Sequence, residues 1–417
     1  MPLHDSRDFA MYVPRTLENY ARQASGQFPV LMVTGARQVG KTTFLRHISE
    51  PDRTYVSLDD PVLLDLARTD PPLFFQRFRP PLLIDEIQYA PELLPHIKME
   101  ADRLRRPGLF WLTGSQYFHL MKGVSESLAG RVAVLHLMGL SRREMLGRGD
   151  AVQPFLPPSE APPDADPPDS VPDLETLYET IWRGAYPAVA LNRQMDRDLF
   201  YSSYVQTYLQ RDVRDLARVG DEMAFLRFLR LAAARTGQLL NLTDFARDAG
   251  IAVNTAKSWL SIAQTSGIVY LLEPYSSNLS KRLVKTPKLY FLDTGLCSYL
   301  TGWTTPQTLE AGAMSGAILE TWVISEILKT HLHNGRQPSF FYYRDKDRRE
   351  IDLLIFQDGV AYPVEIRKTA SPSARDVSVF ETLGRLGVKT GPGALVCLAR
   401  QPLPLTRSSW CVPAGML

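Results

Sequence analysis

Residues 35–43 read GARQVGKTT, two glycines, a lysine and two threonines in the order GxxxxGKT, set between an apolar run at 28–33 (FPVLMV) and an amphipathic TTFLRHI pattern. The chemistry open to such a stretch is the cradling of phosphates. Gly35 and Gly40 let the backbone curl until the successive N–H groups of Ala36, Arg37, Gln38 and Val39 converge on phosphate oxygens, and the N-terminus of the following helix adds positive potential. Lys41 supplies a mobile point charge for the β- and γ-phosphates, and the Thr42 hydroxyl, next to Thr43 in the first helical turn, is placed to ligate Mg2+. A glycine turn before a helix also arises without function. Here a strand pattern precedes the loop and a helix pattern follows it, as the mechanism demands.

A second stretch, PPLLIDEIQ at 80–88, is an aliphatic run ending in two adjacent carboxylates. In a buried parallel strand such a run needs no alternation. The carboxylates then emerge at the strand's C-terminal edge, where ligands bind in open α/β sheets, so Asp85 holds the metal through water and Glu86 polarises the attacking water. The pair implies hydrolysis of the bound nucleotide as well as binding. A third run, LFWLTGSQ at 109–116, is another buried-strand pattern whose polar end offers Thr113, Ser115 and Gln116 as sensors of the γ-phosphate or of the lytic water. Arg131, before the strand pattern RVAVLHL, is a candidate arginine finger for a neighbouring subunit's nucleotide, or a plain surface arginine beside a turn glycine.

A second set of carboxylates lies near the C-terminus. IDLLIF (351–356) and VAYPVEI (360–366) flank QDG, and Asp358-Gly359 is a favoured type I′ hairpin pair. With a two-residue loop there, Asp352 lies directly across from Glu365, while Ile351, Leu353, Ile355, Val364 and Ile366 share the opposite, apolar face. Facing carboxylates repel unless protonated, solvated or separated by a cation. A divalent metal is the purposeful arrangement, with Glu320 of GAILETWVISEILKTHL (316–332) as third ligand and Glu326 as the alternative on that helix pattern. Such a set around Mg2+ is the hard-oxygen chemistry of a nuclease, in which the metal generates hydroxide beside a phosphodiester. A nuclease of this type carries lysine two residues after the second carboxylate. Here that residue is Arg367, which the same register sets opposite Glu350 for a cross-strand ion pair, and Lys368 points to the other face.

The scaffolding for these sites is readable in outline. A chain of 417 residues holds two to four domains with sizeable cores. A formal charge of +2 excludes a polyanion-binding character for the whole, so any nucleic-acid surface is local. Cys297, Cys397 and Cys411 have no CxxC spacing and form no disulfide framework or zinc motif, which suits a reducing cytoplasm. No apolar run is long enough to span a bilayer and the first residues lack the apolar core of a signal peptide, so the expectation is a cytoplasmic protein with no membrane partner.

The clearest boundary is 150–173, rich in proline and acid, which reads as an extended mobile tether or insertion. A helical tract follows, in which the helical spacing of Tyr204, Tyr208, Val213 and Leu216 marks core, and Arg211 and Arg214 are lid candidates for the nucleotide. From 238 to 292 the cadence is that of a winged helix: LTDFARDAGI, then VNTAKSWLSIAQTSG as recognition helix, then IVYLLEPY and LVKTPKLYFLD as wing strands. Asn254, Thr255, Lys257 and Ser258 fall on the early turns of that helix, and Lys281, Arg282, Lys285 and Lys288 on the wing, positions from which side chains reach DNA. Between Tyr204 and Tyr290 twelve Lys and Arg stand against seven Asp and Glu, a local excess compatible with phosphate contacts. Winged helices also serve as packing modules within ATPases, so both roles stay open.

In order and spacing, GARQVGKTT, LLIDEIQYAPELL, LTGSQYFHLM with SLAGR, YLQRDVRDL, GAILETWVISEIL, YYRDKDRREIDLLI and PVEIRK make the chain resemble a bacterial and archaeal family of AAA-type ATPases whose P-loop module is followed by domain of unknown function 4143. The resemblance implies an α/β architecture: a P-loop NTPase (AAA-like) parallel sheet at 1–149, the linker at 150–173, a helical lid and winged-helix domain at 174–300, and a restriction-endonuclease-like domain of the PD-(D/E)XK type at 301–417. It implies ATP and Mg2+ as cofactors, with Lys41 and Thr42 on nucleotide, Asp85 and Glu86 on metal and water, and Glu320, Asp352 and Glu365 in the nuclease-like site. Where members usually show ExK, this chain has Glu365, Ile366 and Arg367. The functional expectation is an ATPase coupled to DNA binding or remodelling, acting as a homo-oligomer, with a degenerate, non-cleaving nuclease-like C-terminal domain. The alternative is an ATP-dependent regulatory or defence switch that uses its later domains for protein contacts.

Overall fold

Apolar runs without alternation form the strands of the first sheet: β1 (Val30–Thr34), β2 (Thr54–Ser57), β3 (Leu82–Asp85), β4 (Phe110–Gly114) and β5 (Val132–His136). They are parallel throughout, in the order β2-β3-β4-β1-β5. The three central strands are buried at every position, as strands covered on both faces must be, whereas the edge strands β2 and β5 are partly open. The computed structural model describes residues 12–114, 127–160, 171–209, 222–275 and 286–417. Two compact units make up the chain, one from the described residues up to Gln153 with Leu332–Gly335, the other from Pro154–His331 with Arg336–Leu417.

Among the described residues, the α-helices of the first unit are α1 (Leu17–Ser25), α2 (Lys41–Ile48), α3 (Pro61–Thr69), α4 (Pro71–Arg77), α5 (Leu93–Leu104) and α6 (Arg142–Met145). Sequence starts two of them cleanly: Asp60 and Asp70 cap the helices that open at Pro61 and Pro71, where proline's missing N–H costs nothing. Phe74, Leu93, Leu94 and Ile97 pack with Val30, Met32, Ile84, Phe110 and Leu112 in one core. Each such side chain contributes about 1.5–3 kcal/mol by leaving water.

The second unit carries a nine-stranded sheet in the order β13-β14-β12-β11-β10-β9-β7-β8-β6. Its strands are β6 (Gln238–Leu239), β7 (Val269–Pro274), β8 (Lys288–Phe291), β9 (Ser339–Arg344), β10 (Glu350–Gln357), β11 (Val360–Ile366), β12 (Gly393–Cys397), β13 (Leu403–Pro404) and β14 (Ser409–Pro413). The strands expected as a wing, β7 and β8, pair antiparallel with each other, and β7 also runs parallel to β9. The position 300/301, expected to separate two domains, therefore falls inside one compact unit with one sheet. Ahead of this hairpin lie the helices Glu222–Ala234, Leu242–Ala249 and Val253–Thr265, packed through Phe225, Phe228, Phe245 and Trp259.

The β10–β11 hairpin turns at Asp358 (φ 52°) and Gly359 (φ 76°), and its pairs run from Gln357↔Val360 to Leu353↔Val364, the register expected for that turn. Pro363 keeps this register, just before the β11–β12 ladder starts at Val364↔Ala394. The face assignment is different from the expected one. On its other side β10 is bulged against β9 between Ile351 and Leu354, so these two residues, three apart, enter the same cluster with Val377, Phe380, Leu395 and Cys411. An extra residue inverts the alternation beyond it, and Ile351 does not share the face of Leu353 and Ile355.

The flanks of the proline-rich stretch are also unlike a free tether. Phe155 N donates to Thr330 Oγ1 (2.9 Å), His331 Nε2 lies 3.0 Å from Phe155 O, and Val171 and Pro172 lie against Gly415. Residues 161–170 lie outside the described residues.

Candidate nucleotide site and acidic cleft

At the carboxyl end of β1 the loop turns through Gly35 (φ 149°), Gln38 (φ 64°) and Gly40 (φ 91°), and α2 begins at Lys41. A side chain at position 35 would place its Cβ 2.1 Å from Leu137 O, so the close approach of loop and chain requires glycine there. Lys41 is buried, and its ammonium is held over the loop by Gly35 O (3.1 Å) and Ala36 O (2.9 Å). Thr42 Oγ1 lies 2.8 and 3.0 Å from the two carboxylate oxygens of Asp85. Loop and acidic doublet thus meet although β4 separates their strands.

Asp85 also accepts the Tyr55 hydroxyl (3.0 Å) and the Thr113 hydroxyl, while Thr113 Oγ1 accepts the backbone N–H of Glu86 (3.0 Å). Glu86 itself sits in the left-handed region (φ 58°), a conformation costing about 1–3 kcal/mol for a residue with a side chain. Its carboxylate accepts Gln88 Nε2. A strained backbone tied to Thr113 fixes where this carboxylate points. The hydroxyl of Thr42 and the carboxylate of Asp85 are a hard-oxygen pair that fits Mg2+.

Behind the loop stands a brace that spacing does not reveal. Arg15 donates to Val39 O in the loop (3.1 Å) and to Met138 O (2.7 Å), and pairs with Glu144 at 3.1 Å. Glu144 also accepts Thr16 N and Ser141 N and faces His333 Nδ1 at 3.2 Å. Burial alone would raise its pKa, but Arg15 and His333 hold it well below the usual carboxylate range. Half-buried His136, paired with Thr34 at the end of β1, has its pKa pushed down to about 4 by burial and then by the charges of His333 and Lys41. The loop therefore faces a neutral imidazole at neutral pH.

Of the other expected participants, Thr113 is in place, and Ser115, Gln116, Arg211, Arg214, Val213 and Leu216 lie outside the described residues. Arg131 precedes β5, at the sheet edge opposite the loop, where it binds Asp102 through two nitrogens (2.6 and 3.0 Å). Tyr55 and Arg15 were missed. Both are joined to the site only by tertiary contact, Tyr55 from the neighbouring strand and Arg15 from before α1.

In the second unit, Glu320, Asp352 and Glu365 line one cleft of about 630 Å³ with Glu350, Arg348, Arg349, Arg367, Arg375 and Arg385. The three carboxylates expected to share a site line the same cleft. Sequence reasoning misplaced the cation. Lys288, expected on the wing, is buried at 3% exposure, with Nζ 2.5 Å from Glu350 Oε1, 3.1 Å from Glu320 Oε1 and 3.5 Å from Asp352 Oδ1. Tyr290 donates to Glu320 (2.5 Å) and Ile366 N to Asp352 (2.9 Å). Arg367 pairs with Glu365 (2.6 Å) and not with Glu350, because Glu350 continues the β9 ladder opposite Arg344 and bonds it at 3.1 Å.

Burial and then the Asp352 charge push the carboxyls of Glu320 and Glu365 above their ordinary range. Burial works against the Lys288 ammonium, but Glu320, Asp352 and Glu350 outweigh it and hold its pKa above the usual lysine value. Among the described residues no group of three or more His, Cys, Asp and Glu is arranged to hold a metal ion. The cleft as built does not fit the divalent ion expected there. The other wing lysines and Arg282 lie outside the described residues, while Asn254, Lys257 and Ser258 are exposed on the Val253–Thr265 helix.

Comparison with known proteins bears on both units. Residues 27–146 match the family model described as AAA domain, and residues 174–307 and 315–417 match domains of unknown function 8612 and 4143. Uncharacterized proteins of Mycobacterium tuberculosis and Mycobacterium bovis are each 29% identical over 405 residues, 95% of this chain and 82% of theirs. A Walker-type ATPase of Pyrococcus abyssi is 15% identical, with 69% of this chain and 96% of that one covered at a TM-score of 0.46. The chain carries an AAA domain followed by domain of unknown function 4143, the combination its motifs suggested. Among the described residues no helix is long and apolar enough to cross a membrane.

Proposed function

We propose that this protein is a Mg2+-dependent ATPase that couples hydrolysis to work on DNA. The observation that carries the reading is the meeting of Thr42 and Asp85 beside a glycine-bounded loop that holds Lys41. In this reading the N–H groups of residues 35–43 and the Lys41 ammonium bind the triphosphate, and Thr42 and Asp85 hold the metal. Bound Mg2+ neutralises charge on the β- and γ-phosphates. Glu86 orients the attacking water and takes its proton, with Thr113 and the left-handed backbone fixing its direction. Arg131 has no path to its own loop, so a finger role belongs to a neighbouring copy in an oligomer.

Support for the DNA partner comes from the second unit. The helix pair Leu242–Ala249 and Val253–Thr265 followed by the β7–β8 hairpin suits a winged helix, with Asn254, Lys257 and Ser258 outward. The cleft rim adds Arg348, Arg349, Arg367, Arg375 and Arg385, all exposed, as phosphate contacts for a nuclease-like domain. The test is ATPase rate with and without duplex and branched DNA, using Lys41→Ala and Glu86→Gln as controls. Stimulation with salt-sensitive binding supports the reading. Basal turnover with neither effect replaces it with an ATP-dependent switch whose later domains meet proteins.

A further inference from the structure

We propose that the Lys288 ammonium is the permanent counter-ion of the acidic cleft, standing where a nuclease would hold its divalent metal, so that the cleft is metal-free and does not cut phosphodiesters. The inference rests on the nuclease-like reading of the second unit and is independent of the ATPase.

Three carboxylates from two elements converge on one nitrogen, Glu320 from the helix Ser315–Leu332 and Glu350 and Asp352 from the start of β10, while Lys288 comes from a third, β8. A side chain 3% exposed and ringed by carboxylates is a fixed part of the core rather than a wing residue reaching for DNA. Metal ligation would need the same lone pairs. An ion bound to these oxygens at about 2.0–2.6 Å would lie next to the ammonium, and like charges would repel at that range in a weakly screening interior. Other oxygens of the cluster are bonded in the same way, Asp352 Oδ2 by Ile366 N, Glu350 Oε2 by Arg344 and Glu365 Oε1 by Arg367. Glu365 Oε2 is buried without a hydrogen-bond partner and Glu320 bonds through Oε1 alone, but a cation on these carboxylates would still meet the charge of the ammonium that Glu320 binds. Nor does Lys288 replace the lysine missing at position 367, since a buried ammonium saturated by three carboxylates has no access to a water attacking DNA. The domain keeps the acidic positions of a cleaving site and binds them internally.

The experiment uses the full chain without nucleotide and titrates Tb3+, read by emission sensitised through Tyr290, whose hydroxyl is 2.5 Å from Glu320. Wild type, E320Q and D352N are expected to give equal emission. Lys288→Met is expected to gain emission several-fold, and K288M/E320Q to lose that gain. Wild-type emission that falls in E320Q or D352N overturns the proposal, as does a folded K288M with no gain. If K288M does not fold, the wild-type comparison decides alone: equality supports the built-in cation and a fall refutes it. Plasmid cleavage in Mn2+ that is present in wild type and absent in D352N would also overturn it.

Discussion

Replacing Gly35 by alanine isolates the geometric demand of the nucleotide loop. The new Cβ would lie 2.1 Å from Leu137 O and 3.1 Å from Leu137 C, against 3.4 Å or more for ordinary contact. Both neighbours are backbone, so no rotamer relieves the overlap. The segment at Leu137 is itself held, its N–H donating to Thr34 O at 2.8 Å. The loop must move by roughly the missing ångström, at an overpacking cost of about 1–3 kcal/mol. The positive φ of 149° adds strain of about 1–3 kcal/mol for a residue with a side chain. The expected loss is therefore about 2–6 kcal/mol in the first unit. Gly147 provides the control, because it has φ 70° with nothing within 4 Å of a built Cβ, so G147A carries the backbone strain alone. Urea unfolding compares the two variants, and fluorescent ATP titration reads the loop. G35A should be the less stable by at least about 1 kcal/mol and bind ATP at least about tenfold more weakly. Equal stability of G35A and G147A, with unchanged ATP affinity, would refute the steric reading of the loop.

Thr113→Val removes the hydroxyl that joins Asp85 to the Glu86 backbone, leaving a polar group unmatched at about 1–3 kcal/mol; turnover should fall about 10- to 100-fold while ATP affinity changes little. Arg15→Met strands Glu144, which is fully buried, and should destabilise the first unit by about 3–5 kcal/mol in urea unfolding, with R15M/E144Q recovering part of the loss. For His136 the folded pKa of about 4 lies below the ordinary 6.5, so its contribution is complete above pH 6.5 and is lost as pH falls towards 4. Discounted for partial exposure, that is about 2–3 kcal/mol, and His136→Gln should flatten the fall of melting temperature between pH 7 and pH 4.5.

Local pattern and long-range packing divide what the sequence disclosed. GARQVGKTT and LLIDE were legible because phosphate loops and buried strands carry their geometry in a few adjacent residues. The β10–β11 register followed from one turn, Asp358-Gly359, and brought Asp352 and Glu365 to one cleft. The bulge between Ile351 and Leu354 was not legible, since it is imposed by β9, and alternation in β10 gives no sign of it. Lys288 was read as a wing cation because its neighbours in sequence are basic; only pairing of β7 with β9 carries β8 to the acidic cleft. Arg15 reaches the loop across 24 residues and Glu144 across a longer stretch, contacts that no spacing rule encodes.

The central claim is that ATP is gripped at residues 35–43 and spent beside Asp85 and Glu86. Phosphate release from ATP by the purified chain in Mg2+, measured beside retention of labelled ATP on a filter, tests it most directly. Wild type should retain and hydrolyse ATP, Glu86→Gln should retain it with little turnover, and Lys41→Ala should do neither. Retention absent from wild type, or turnover equal in all three proteins, would contradict the account.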